Sequence, residues 1–190
     1  MKIGSHNSWT FRRPDKWWMR LFGFVTRCQS KDISTQLALG AEIFDLRLRL
    51  VGDEWRVAHG ATTYGLLPYD DLFNLNSQTD GVYCRVLLEY NKEPKDCDNI
   101  TSHFKGMCKA LEIRYPNIRF FGGNCKWKWS KVVYNFSNKP PKFIDAYSSM
   151  ADKNKVNDLY PKLWAKHHNK AWKEKYAGTG ETLLMDFIDI

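Results

Sequence analysis

The chain has no apolar run approaching the ~20 residues that a membrane-spanning helix needs, so no helical anchor is expected. It also lacks any Cys-x-x-Cys pair. Its five cysteines, Cys28, Cys84, Cys97, Cys108 and Cys125, form an odd set. That argues against a disulfide framework and fits reduced thiols in an intracellular protein. His103, His167 and His168 lack metal-ligand spacing with those cysteines and read as exposed or structural helix residues. The charged-then-apolar pattern of a secretory signal is missing near Met1, where the first predicted strand begins, so a cytoplasmic location is expected. No repeat, low-complexity tract or linker divides the sequence, and residues 1–190 are expected to form one domain. Acidic residues are scarce. Against 21 Asp and Glu stand 29 Lys and Arg, a net charge of +8, which favours anionic partners such as acidic lipid headgroups or nucleic acid.

Two short segments carry the chemistry. The first is Gly4-Ser5-His6-Asn7-Ser8. The second is Asp45-Leu46-Arg47-Leu48-Arg49, followed by Ala58-His59-Gly60. They supply two imidazoles and a fixed cation at or near the ends of predicted strands. Metal-free cleavage of a phosphodiester needs such a set: a base for the nucleophile, a guanidinium for the phosphorus oxygens and an acid for the leaving oxygen.

Alternation sorts the faces. From Ile43 to Leu50, Phe44, Leu46, Leu48 and Leu50 share one side of a strand, with Asp45, Arg47 and Arg49 on the other. A half-exposed strand would give the same pattern with its charges in water. However, Thr35 to Ala41 reads as a short helix ended near Gly40, which suits an alternating α/β layout with a parallel barrel. In such a barrel the charged face points inward, where charges must be paired or used. Similarly, Val82 to Tyr90 sets Arg85, Leu87 and Glu89 opposite Val86, Leu88 and Tyr90. In Leu183 to Ile188, Asp186 is the lone carboxylate, and His6 is its natural partner, since a basic imidazole is usually oriented by an acid on its far nitrogen.

Ser-His-Asn-Ser, then Gly-Ala-Glu-Ile-Phe-Asp-Leu-Arg-Leu-Arg, then Val-Ala-His-Gly resembles the catalytic half of the phosphatidylinositol-specific phospholipase C family, in its bacterial, metal-independent branch. The likeness runs from about Ile3 to Pro94, with a weaker echo at Leu184 to Ile188. It implies a compact, distorted TIM (β/α) barrel. His6 matches the general base and His59 the general acid. Asp45 and Arg47 match the Asp-x-Arg pair, in which the arginine grips the phosphate and the aspartate supports it. Asp186 matches the carboxylate that orients His6. Asn7 stands where the bacterial branch usually has aspartate and the calcium-dependent branch asparagine. Arg47 takes the place of a metal-ligating carboxylate in the calcium-dependent enzymes, so the resemblance implies no cofactor, with calcium or magnesium the less favoured choice. Asn7, Arg49, Glu89, Lys92, Asp145 and Tyr147 are the expected substrate contacts, Lys92 to a headgroup and Asp145 and Tyr147 to a polyol. The expected partner is a phospholipid or other small phosphodiester, and the expected state a monomer.

Barrels of this type usually need about 200 residues or more, so clipped loops or a shortened helix are expected. Phe11 to Phe22 mixes arginines with aromatics beside the proposed base. It reads either as a membrane-interface element or as an amphipathic cap with its aromatics packed inward. Lys126 to Lys131 alternates lysine and tryptophan as a strand would, a pattern that also suits stacking on single-stranded nucleic acid. Asp98 to Tyr115 and Lys153 to Tyr176 have helical spacing. Two other functions fit the residues: a divalent-metal glycerophosphodiester phosphodiesterase, and a non-catalytic basic protein that binds nucleic acid or anionic membrane. The joint presence of His6, Arg47 and His59 favours the enzyme.

Overall fold

The computed structural model describes residues 2–78, 81–90, 92–126, 128–148 and 160–190. Trp127, and residues 153–159 of the second expected helix, lie outside the described residues.

Six parallel strands make the frame: β1 (Lys2–Ser5), β2 (Ala41–Val51), β5 (Val82–Leu88), β6 (Ile118–Cys125), β8 (Phe143–Ala146) and β9 (Thr182–Met185). They neighbour one another in the order β6-β5-β2-β1-β9-β8. The sheet curls, and among the described residues β6 and β8 do not pair, which leaves a breach in the wall. β3 (Glu54–His59) and β4 (Thr62–Leu66) form an antiparallel hairpin on the far end of β2. β7 (Lys128–Val132) pairs antiparallel with the end of β6. The fold is a distorted, incomplete TIM barrel.

The helices are few: α1 (Gly23–Thr26), α2 (Ile33–Ala38), α3 (Tyr69–Asn76), α4 (Cys97–Arg114) and α5 (Pro161–Lys175). Two 3-10 segments, Ser8–Phe11 and Trp17–Phe22, precede α1. The economy expected from the length falls on α1 and α2, one or two turns each, and between β7 and β8, where no helix is found. Asp32 caps α2 through its side chain, which accepts from Thr35 N at 2.8 Å. Gly40 then turns the chain into β2 with φ 87°. Along α4, Ile100, Phe104, Met107, Cys108 and Leu111 face the sheet at helical spacing and meet Phe44, Leu46, Leu48, Val86 and Leu88 in the main core. Each such buried apolar side chain contributes about 1.5–3 kcal/mol of transfer free energy.

The opposite sheet face closes a second, smaller cluster. Ile43, Phe121 and Leu184 pack there as a plug, with Tyr83, Phe143 and Tyr147 against them. Two residues beyond Ile43 and Leu184 come Asp45, within β2, and Asp186, just past β9, so the plug forms the floor on which the charged groups stand. A bulge at Gly122-Gly123 interrupts β5–β6 pairing. A Cβ on Gly122 would lie 2.7 Å from Val86 O, and one on Gly123 2.0 Å from Tyr134 O. Both glycines have positive φ, and the shift they permit sets Asn124 opposite Leu87.

Candidate active site

The charged groups of the candidate site lie along the strands or just past them, several at the C-terminal ends, where barrel loops converge. His6 follows β1, Asp45 and Arg47 lie within β2, His59 ends β3, and Arg85 and Glu89 belong to β5 and its exit. Lys126, Tyr147 and Asp186 follow β6, β8 and β9.

His6 is pinned from several sides. Its backbone N donates to Met185 O at 2.9 Å. Gln29 Nε2 donates to His6 O at 3.0 Å and to Met185 O at 2.8 Å, which clamps the ends of β1 and β9 together. Its Nδ1 lies 2.6 Å from Asp186 Oδ1. Its Nε2 lies 2.7 Å from Arg47 Nη2 and 3.1 Å from Asn7 Nδ2. The donor count fixes the tautomer. Arg47 and Asn7 both donate to Nε2, so the neutral ring keeps its proton on Nδ1 and gives it to Asp186 Oδ1. Ser148 N donates to the other oxygen at 3.1 Å, so both Asp186 oxygens accept. Burial, then Arg47, His59 when protonated, Arg85 and Lys126, holds the His6 pKa well below its usual value, and the ring is neutral at physiological pH. Tyr147 stacks on His6 with ring centroids 3.5 Å apart.

The cation is built as carefully. Asp45 Oδ2 accepts from Arg47 Nε at 2.9 Å and from Asn7 N at 3.1 Å, and Oδ1 accepts from Arg85 Nε at 2.8 Å. Asn7 reaches its place through a left-handed backbone, φ 46° and ψ 53°, which asparagine tolerates. Burial alone would raise the Asp45 carboxyl, but Arg47 and Arg85 outweigh it and hold it well below the usual range. Glu89, fully buried, lies 3.4 Å from Arg47 Nη1, accepts from Gly60 N at 3.0 Å and is gripped by Lys126 Nζ. It therefore ties the cation to the turn that carries His59.

His59 faces His6 with ring centroids 6.1 Å apart and planes at 84°. Its Nδ1 donates to Thr26 O at 2.7 Å, a carbonyl that also accepts from Tyr64 OH at 2.7 Å, which leaves Nε2 for proton exchange. Desolvation, with Lys126 and Arg47 against the pull of Glu89, lowers its pKa to about 4. Ligand atoms of His6, Cys28 and Asp186 lie within 4.8 Å of one another, the one such group among the described residues that could hold a metal. Burial and the nearby Asp186 charge push the Cys28 thiol up, so it keeps its proton, and the His6–Asp186 contact is already a hydrogen bond.

The remaining expected contacts sort differently. Arg49 spends its donors on backbone, Nε on Glu89 O at 3.0 Å and Nη2 on Gly60 O. Asp145 is exposed at the breach and pairs with Arg85 Nη1 at 3.1 Å. Lys92 is exposed in the connection from β5 to α4. Arg85, Lys126, Gln29, Cys28 and Thr26 were not anticipated. Arg85 was within reach, because alternation already put it on the Glu89 face. Of the two readings of Phe11 to Phe22, exposure favours the interface element for its second half: Trp17, Trp18, Leu21 and Phe22 are exposed, as is Phe24 beyond them, while Met19 is buried and Phe11 packs half-buried against the main core.

No family model and no curated protein matches the sequence. Solved structures do match the fold. The phosphatidylinositol-specific phospholipase C of Listeria monocytogenes superposes with a TM-score of 0.62 at 13% identity, over 98% of this chain and 87% of that one. The Staphylococcus aureus enzyme, in a structure concerned with modulation of its membrane binding, gives 0.60 at 17% identity, over 98% and 85%. The chain therefore has the fold of the bacterial phosphatidylinositol-specific phospholipases C, a TIM-barrel-like architecture.

Proposed function

We propose that the protein is a phosphodiesterase that cleaves an inositol phospholipid or a similar phosphodiester by two-histidine acid–base chemistry. The observation that carries this reading is the pair of imidazoles 6.1 Å apart, with the Arg47 guanidinium on His6 Nε2. A substrate phosphate that draws the Arg47 and Asn7 donors toward its oxygens frees that nitrogen. His6 Nε2 then takes the proton of a hydroxyl adjacent to the phosphate, the hydroxyl oxygen bonds to phosphorus, and the bond to the leaving oxygen breaks. His59, protonated on Nε2, gives its proton to that oxygen. A cyclic phosphodiester and an alcohol result, and water opens the ring with the histidines in exchanged roles. Asp186 holds His6 in the right tautomer, and Asp45 and Glu89 hold Arg47.

Arg47 supplies the positive charge that a metal would otherwise bring, and we propose that no metal takes part. The exposed aromatics after β1 suit contact with a membrane surface, and the net charge of +8 suits an anionic one. We assign the whole chain to one catalytic domain, acting as a monomer at the interface; no described helix is long and apolar enough to cross a membrane. The test is diacylglycerol release from phosphatidylinositol vesicles. Each proton transfer is typically worth ~10²–10⁴-fold, so His6→Ala and His59→Ala should each lose at least a hundredfold. A His59→Ala enzyme with most of its activity would remove the assignment.

A further inference from the structure

Outside the catalytic centre, four arginines line one hollow. Arg12, Arg13, Arg20 and Arg27, with Thr10 and Tyr64, line a cavity of about 390 Å³. No carboxylate lines it. Arg12 alone has an acidic partner, Asp71 at 2.6 Å, and Arg13, Arg20 and Arg27 form no ion pair among the described residues. Arg20 and Arg27 make single bonds to backbone, Nε to Pro14 O at 3.4 Å and Nη2 to Phe11 O at 2.6 Å, which leaves other donors on each free. With Arg12 paired to Asp71, the charges of Arg13, Arg20 and Arg27 around one hollow repel one another and are satisfied together by an anion, and the guanidinium fork fits phosphate oxygens.

The setting says which anion. The same stretch of chain carries Trp17 at 72%, Leu21 at 69% and Phe24 at 56% exposure, the apolar side chains most suited to enter a lipid surface. The hollow also abuts the catalytic mouth, since Tyr64 in its wall and His59 donate to the same Thr26 carbonyl. We infer that this cavity is a second, non-catalytic phosphate site, which binds the headgroup phosphate of an anionic membrane lipid while the adjacent aromatics enter the interface. It rests on the membrane-facing part of the proposed function for the source of the phosphate, but not on catalysis. It differs from diffuse attraction by the protein's net charge in requiring the guanidinium geometry at one place.

The test is sedimentation with vesicles of phosphatidylcholine alone and with phosphatidic acid added, at constant ionic strength and without reading turnover. Lys16 is the control. It is exposed on the same rim, 5.8 Å from the Trp18 ring, but does not line the cavity. Diffuse attraction loses about fivefold for one basic residue near the surface, so Lys16→Gln should fall by that or less. Arg20→Gln should weaken binding to phosphatidic acid vesicles by more than about tenfold, as a lost charge-assisted pair does, and Arg20→Lys nearly as much despite its retained charge. Arg13→Lys should follow. Both arginines are exposed, and unchanged melting temperatures will show that the variants fold. Arg20→Lys binding like wild type, or Arg20→Gln falling no further than Lys16→Gln, would overturn the site. A titration with inorganic phosphate without vesicles separates the sources. Phosphate binding that Arg20→Gln abolishes, with vesicle affinity unmoved, would overturn the lipid assignment. Because phosphatidic acid reports binding alone, these results stand apart from any failure of the His59→Ala assay.

Discussion

Asp186→Asn separates the orienting role of this carboxylate from simple packing. Both of its oxygens accept, Oδ1 from His6 Nδ1 at 2.6 Å and Oδ2 from Ser148 N at 3.1 Å. An asparagine has one acceptor oxygen and one amide nitrogen, so either orientation sets a donor against a donor. If the amide faces His6, the imidazole proton moves to Nε2, where Arg47 and Asn7 already donate, and the base nitrogen is lost. That should cost about 10²–10⁴-fold in kcat, the usual worth of a positioned base. If the amide faces Ser148, the buried N–H there is unpaired, which costs about 1–3 kcal/mol of stability. The assay is kcat on phosphatidylinositol vesicles alongside the urea unfolding midpoint. A variant within threefold of wild type in kcat and unchanged in stability would refute the reasoning.

Other outcomes follow from the same geometry. Glu89→Gln leaves Arg47 and Lys126 short of a counter-charge in a buried place and should lower stability by roughly 3–5 kcal/mol at neutral pH. Arg47 and Lys126 hold the Glu89 carboxyl low against the burial that would raise it, so its contribution is present above the unfolded carboxyl pKa and lost as pH falls; wild type and variant should converge in acid urea titrations. Gly123→Ala adds a Cβ 2.0 Å from Tyr134 O at φ 71° and should cost more than about 3 kcal/mol, read as the urea midpoint. His59, with its pKa lowered to about 4, is neutral in the free protein at pH 7. An anionic phosphate beside it raises that pKa, so binding of a phosphonate substrate analogue should take up a proton and weaken as pH rises above about 4, measured by calorimetry in buffers of different ionisation heat. His59→Ala should abolish the uptake.

Much of the frame was legible because side-chain alternation is a local property. Asp45 and Arg47 stand on the inner face and Phe44, Leu46 and Leu48 in the core, as the β2 pattern required. The same parity held for Glu89 and Asp186, whose strands are short and regular to their ends. It failed where regularity stops. The Gly122-Gly123 bulge shifts the register, so no counting along β6 brings Lys126 to Glu89. Thr26 reaches the site from the end of the single-turn α1, and Cys28 and Gln29 from the irregular stretch after it, too short or too irregular for either period to apply, and a lone buried glutamine leaves no mark in sequence. The aromatics of residues 17–22 were ambiguous because composition does not say which side of a short turn is covered.

The most direct measurement is phosphorus NMR of phosphatidylinositol turnover in excess chelator. The two-histidine mechanism predicts a cyclic phosphodiester resonance that grows in with wild type, and none with His59→Ala. Turnover that requires added calcium or magnesium, or a product that is a phosphomonoester from the first time point, would contradict it.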